Sequence, residues 1–181
     1  DLRKASVITS YYSTSYKCMV TSDDIGSKWS GYILNKYPIE VKNQYQPGNI
    51  PLARWADVLL MYAEADVRKS SSVTTNAIDC VNQVRNRAGL DNLPASATAS
   101  VAAFLDALLA ERGHELLFEG CRKIDLIRFN KYYTTMSAFG PSRTPTSQYV
   151  PLPDYAVQLA EQVGKKLEQY FTRDDYDGPK K

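Results

Sequence analysis

Glu111, His114, Glu115 and Glu119, with Arg112 among them, are the residues of this 181-residue chain whose types and spacing could do chemistry. They lie in ERGHELLFEGCRKIDLIRF, residues 111–129, a run that otherwise reads as buried helix. Glu111 and His114 keep the Glu-x-x-His spacing that puts two metal ligands on one helix face in di-iron carboxylate bundles. That site needs a second such pair, and His114 is the only histidine, so no metal and no cofactor is expected. A Ser-His-Asp triad would also have to use His114, and no G-x-S-x-G elbow presents a serine. A carboxylate pair drawn from Glu111, Glu115 and Glu119 could hydrolyse a glycosidic bond. These acids alternate with Arg112, Arg122 and Arg128, whose charges lower carboxyl pKa values and spoil a general acid. No catalytic residue is assigned.

The same charges make better sense as pins between helices. An arginine fork satisfies both oxygens of a carboxylate that must leave water. Asp125 sits three residues after Arg122 and three before Arg128, a spacing that lets all three interact along one helix. Arg54, Arg85 and Arg87 offer partners from other segments. The expected structural network is Arg54, Arg87, Glu111, Glu115, Glu119, Arg122, Asp125 and Arg128.

Helices must hold these side chains in place. The first starts after Pro51, where Ala56, Leu60, Ala63 and Val67 keep helical spacing, as do Trp55, Leu59 and Tyr62. With nearly its whole circumference apolar it should be central, with Trp55 in the core. The second helix, TNAIDCVNQVRNRAGL, turns Ala77, Val81, Val84 and Ala88 inward. Thr74 or Thr75 can cap its start and Gly89 its end. A third runs from about residue 100 to 118, burying Val101, Phe104, Leu105, Leu108 and Leu109. Glu119-Gly120 should bend the chain into a short helix, CRKIDLIRF. An irregular loop follows over 134–148, then a last helix beginning near Asp154. Residues 1–50 are rich in Ser, Thr, Tyr, Gly and Asn and read as loops with short strands, among them 32–34 and 39–41. The fold class expected is mainly α: helical hairpins of tetratricopeptide-like packing behind an irregular, loop-rich N-terminal segment. It reads as one domain over 1–181, with a lead-in at 1–50, a helical body at 51–170 and a frayed tail at 171–181.

A net charge of +2 with no dense Lys/Arg stripe gives no reason to expect nucleic acid. Cys18, Cys80 and Cys121 lie far apart with no CxxC spacing, which argues against a zinc site and for reduced thiols. No apolar run reaches the length of a membrane span, and no signal peptide or lipid-attachment cysteine stands out. The chain opens Asp1-Leu2-Arg3 without methionine, which suggests excision from something longer.

PLARWADVLLMYAEA, AIDCVNQVRNRAGL, ERGHELLFEGCRKIDLIRF and YVPLP occur in that order. This series resembles the C-terminal half of the SusD/RagB family of outer-membrane nutrient-binding lipoproteins. The matching residues are Arg54, Ala56, Asp57, Ala63, Glu64 and Ala65; Asn82, Arg85, Arg87, Ala88 and Gly89; Glu111, Arg112, Glu115, Leu116, Glu119, Gly120, Arg122, Asp125, Leu126 and Arg128; and Pro151 and Pro153. The resemblance implies a mostly helical, surface-exposed lipoprotein of a Gram-negative outer membrane, with a tetratricopeptide-like N-terminal half and a lipid anchor outside this chain. It implies a lid on a TonB-dependent transporter of SusC type, catching oligosaccharides or, in some relatives, peptides, without catalysis. Its signature charges are then scaffold. Gly113-His114 departs from the bulkier pair usual after Glu-Arg and suggests a close approach or a kink there. Without the N-terminal half, the first helix is expected to expose its outer face.

Sugar rings present C–H faces that aromatic side chains cover. The chain has 13 Tyr and 2 Trp, and Tyr11, Tyr12, Tyr16, Trp29, Tyr32, Tyr37 and Tyr45 crowd into the first fifty residues, where no helical stripe explains them. Trp29 and Tyr32, beside Gly31, are the leading ligand-binding candidates, followed by Tyr12 and Tyr16. A helical scaffold that binds only protein or peptide is the alternative function.

Overall fold

The structure is a computed structural model that describes residues 1–21, 24, 33–37, 51–138 and 154–164. The chain is mainly helical with a few short strands, and it divides into two compact units, Asp1–Gly120 and Cys121–Lys181. The division falls at Gly120, whose positive φ of 79° turns the chain where a side chain would be strained.

The first unit opens with a 3-10 turn, Leu2–Ser6, capped by the Asp1 carboxylate, which accepts from the Arg3 N–H at 2.9 Å. Among the described residues four strands follow: β1 Val7–Ile8, β2 Ser10–Ser13, β3 Cys18–Thr21 and β4 Ile33–Leu34. β1 pairs antiparallel with β4, and β2 with β3. In the second pair Tyr11 faces Val20 and Tyr12 faces Met19. Side chains alternate across a strand, so Val20 goes inward while Tyr12 and Met19 stay exposed. The strand expected at 39–41 lies outside the described residues.

Helices α1 Trp55–Ser70, α2 Thr75–Arg87, α3 Ala95–Thr98 and α4 Val101–Glu115 complete the unit. Thr74 caps α2 by accepting from the Ala77 N–H at 3.0 Å, and Ser100 caps α4 by accepting from Ala103 at 3.1 Å. Leu60, Ala63 and Val67 of α1 meet Ala77, Val81 and Val84 of α2, and Phe104, Leu108 and Leu109 of α4 close the core. Ala63 and Ala77 keep the backbones close where the hairpin packs. Each larger apolar side chain buried here contributes about 1.5–3 kcal/mol. Val101 and Leu105 remain only partly covered, and α4 stops at Glu115, three residues before the expected end. It runs through Gly113 without a break.

α1 does not bury its whole circumference. Trp55 is 71% exposed, and Val58, Met61 and Tyr62 are exposed with it. α2 and α4 cover the stripe through Leu60, Ala63 and Val67, whereas Val58 and Tyr62 lie on the opposite side of the helix and Trp55, at its start, lies on the flank of that stripe beside α2. Trp55 is therefore not a core residue, and the helix is half open.

The second unit carries α5 Arg122–Arg128, α6 Tyr132–Ser137 and α7 Asp154–Gln162. Among its described residues, Leu126 and Tyr132 are the buried apolar ones. α6 occupies the beginning of the stretch expected to be an irregular loop. Its first turn is organised by Tyr132, which is buried and has the Lys123 ammonium over its ring at 5.8 Å.

Candidate functional site

Glu111 and Glu115 are four residues apart on α4 and share a face; Glu115 is only 2% exposed. Desolvated carboxylates demand partners, and several converge. Glu115 accepts from Arg87 at 2.5 Å and Arg3 at 3.1 Å on one oxygen, and from Arg54 at 2.9 Å on the other. Glu111 accepts from Arg3 at 2.7 Å and Arg85 at 3.0 Å. Arg54 also reaches Glu119 through Nε at 2.9 Å and Nη2 at 2.8 Å. Arg112, one step round the helix, points to α1 and donates to Asp57 at 2.8 Å.

Lys36 closes the end of α4. Its ammonium donates to the carbonyls of Glu115 at 2.6 Å and Leu117 at 3.2 Å, and to the Glu119 carboxylate. A cation there satisfies the orphan carbonyls and suits the negative end of the helix. Burial alone would raise the pKa of Glu119, but hydrogen bonds from Arg54 and Lys36 and their charges outweigh it, holding the carboxyl below its usual range. The Glu119 hydrogen bond in turn pushes Arg54 above its ordinary value, despite desolvation. Tyr37 is raised, first by burial and then by the Glu119 charge. A carboxylate held ionised in this way is poorly suited to donate a proton at neutral pH.

The motif at the end of α2 joins the same network through Arg85 and Arg87. The Asn82 side chain accepts from the Leu93 N–H at 2.8 Å, and Arg85 donates to the Asp91 carbonyl at 2.9 Å, fixing the loop behind the helix. Ala88 is buried, and Gly89 takes a φ of 71°. Leu2 packs where a Gly89 side chain would stand, and its N–H donates to the Ala88 carbonyl at 2.8 Å. The 3-10 turn and Arg3 are thereby seated beside Glu111.

The structure brings Arg54, Arg87, Glu111, Glu115 and Glu119 together in the first unit. In the second, Arg128 donates to the buried Asp125 at 2.8 Å, and Arg122 begins the same helix. Arg3 and Lys36 were missed from sequence. They come from the lead-in, more than seventy residues from the acids they meet, and no spacing signals such a pairing. His114 is exposed and outside the network. None of the three cysteines forms a disulfide.

Among the aromatic candidates, Tyr12 and Tyr16 are 60% and 55% exposed, on β2 and on the turn that joins it to β3. Met19, opposite Tyr12, extends the apolar surface. Trp29 and Tyr32 lie outside the described residues. Among the described residues, no helix is long and apolar enough to cross a membrane.

The described residues form a helical body pinned by internal ion pairs, with exposed rings on its lead-in. The chain belongs to the SusD family, whose model matches residues 4–172. It is 33% identical over 143 residues to the SusD-like protein P38 of Formosa agariphila, covering 75% of this chain and 27% of that one. A SusD superfamily protein of Parabacteroides distasonis superposes with a TM-score of 0.65 at 26% identity, covering 91% of this chain and 36% of that one. Surface glycan-binding protein A of Bacteroides uniformis does so with a TM-score of 0.64 at 26% identity, covering 93% and 37%. The chain thus spans between about a quarter and two-fifths of the length of these relatives.

Proposed function

We propose that this chain is part of a non-catalytic oligosaccharide-binding protein at the surface of a Gram-negative outer membrane. The parent protein, held by a lipid anchor, acts as lid and accessory subunit of a TonB-dependent transporter of SusC type. The carrying observation is the exposed pair Tyr12 and Tyr16 on one hairpin, set on a body whose buried carboxylates are occupied by guanidinium and ammonium groups. Rings so placed stack on sugar C–H faces. Similarity to a surface glycan-binding protein of Bacteroides uniformis supports the reading. Trp29 and Tyr32 are proposed as further contacts on the same lead-in.

Calorimetric titration with a panel of oligosaccharides and peptides tests it. Heat is expected with saccharides and lost on Tyr12→Ala or Trp29→Ala; heat with peptides only would refute it. A scaffold that binds only protein is the second reading, favoured by the exposed apolar side of α1. It expects stable association with a transporter barrel and no saccharide heat. Turnover of a glycan that disappears in Glu115→Gln would overturn both.

A further inference from the structure

We propose that Arg3 and Lys36 are positioning residues: together they clasp the β1–β4 pair to the end of α4 and so keep the β2–β3 hairpin ordered for ligand. The ligand half of this rests on the glycan-binding reading above; the clasp itself does not. Its two halves converge on one residue. Arg3 donates through Nη1 to the Glu115 carboxylate at 3.1 Å and to Glu111 at 2.7 Å. Lys36 donates to the Glu115 carbonyl at 2.6 Å, to the Leu117 carbonyl at 3.2 Å and to the Glu119 carboxylate. The other nitrogens of Arg3, Nε and Nη2, donate to Asp1 at 2.9 and 2.8 Å, which fixes the fork that reaches α4. Arg3 lies in the 3-10 turn that runs directly into β1, and Lys36 stands just after β4. Each cation therefore grips one strand of the pair.

The strands need this clasp. β1 and β4 pair only as Val7 with Leu34 and Ile8 with Ile33, helped by the Asn35 N–H on the Ser6 carbonyl at 2.8 Å. β2 and β3 pair from Ser10 with Thr21 to Ser13 with Cys18. Two-stranded pairs this short are marginal in water by themselves. β2 begins just beyond the end of β1, so the hairpin is carried by the clasped pair. Among the described residues of the lead-in, Val20 is the buried apolar side chain, and Leu2, which adds a backbone bond to Ala88, is exposed. Charge-assisted contacts are the stronger part of the attachment. The helical body, by contrast, closes without the clasp. Glu111 keeps Arg85, Glu115 keeps Arg54 and Arg87, and Glu119 keeps Arg54, so no acid of the three is left buried without a cation. That asymmetry lets the lead-in open locally while α1, α2 and α4 stay packed. Every group named lies within Asp1–Gly120, so the clasp is complete inside this chain.

The test compares the 181-residue chain with the double variant Arg3→Gln, Lys36→Gln by amide hydrogen exchange. Exchange over residues 7–21 should rise at least about tenfold, while α1, α2 and α4 keep their protection. Lys36→Gln alone should show part of the rise, and Lys36→Arg, which keeps the charge, little of it. Calorimetry with cellohexaose and with maltohexaose reads the ligand half. A saccharide bound by the unaltered chain should bind about three- to tenfold more weakly to the double variant, because the hairpin must then be ordered on binding. Unchanged exchange over 7–21 overturns the clasp. Protection lost equally in α1, α2 and α4 also overturns it, since Arg3 and Lys36 would then hold up the body as a whole. Raised exchange with unchanged saccharide affinity overturns the positioning role and leaves the glycan reading standing. An unaltered chain silent to both sugars counts against the glycan reading and takes the ligand half with it, while exchange still decides the clasp.

Discussion

Glu115 has the type and spacing of a catalytic side chain and the surroundings of a buried ion-pair partner. A buried carboxylate without a partner would be costly to desolvate, but this one meets Arg3, Arg54 and Arg87 at once. Glu115→Gln keeps the volume and removes the charge, leaving three guanidinia without it. The loss expected is about 3 kcal/mol, the lower end for a broken buried pair because Arg87 is half solvated; urea unfolding of the two proteins measures it. Glu119 makes a pH prediction. Its folded pKa lies below the ordinary 4.5, so its contribution is fully present above that value and is lost as pH falls through the folded one. Acid unfolding followed by circular dichroism should show this loss, and Glu119→Gln should flatten it. An unchanged acid limb in the variant would count against the pairing. At this scale the sequence already pointed to pinned charges, because arginines alternate with acids. It did not point to Arg3 or Lys36, whose partnerships exist only through the fold.

The helices themselves follow local rules. Thr74, Ser100 and Gly89 stand where caps are needed, and alternation over β2 and β3 separates Val20 from Tyr12 and Met19. Gly89 has two reasons to be glycine: a φ of 71° and Leu2 against the place of its missing side chain. Gly89→Ala should cost about 1–2 kcal/mol from the left-handed backbone alone. Leu2 is exposed and can yield, so the steric part adds little. A thermal melt checks this; a shift no larger than that of an exposed helical Gly→Ala change would show that the turn can relax. The apolar periodicity of α1 was plain, but which side of it would be covered was not. An all-round apolar helix predicts burial only if neighbours exist on every side, and in this chain α2 and α4 cover one. That is why Trp55, expected in the core, faces out.

For the molecule as a whole, the compact unit Asp1–Gly120 contains both ends of every network ion pair described from Arg3 to Glu119. Residues 1–120 expressed alone should therefore retain helical circular dichroism and melt cooperatively. A broad, non-cooperative transition would mean that the division at Gly120 is not energetic. The mainly helical fold and the kinship with the SusD family were readable from ordered motifs, since those motifs are the charges and glycines that close the hairpin. Of the four rings proposed to meet ligand, Tyr12 and Tyr16 are exposed on the lead-in.

By itself the sequence determined the main helices α1, α2 and α4, the capping residues Thr74 and Gly89 and the pairing of acid with arginine, because each depends on residues a few positions apart or on charge type; it did not show α3 or α6. Only the tertiary structure decided that Arg3 and Lys36 complete the network and that Trp55 is open. Those outcomes depend on which surfaces meet across dozens of residues, where packing rather than local preference sets the geometry.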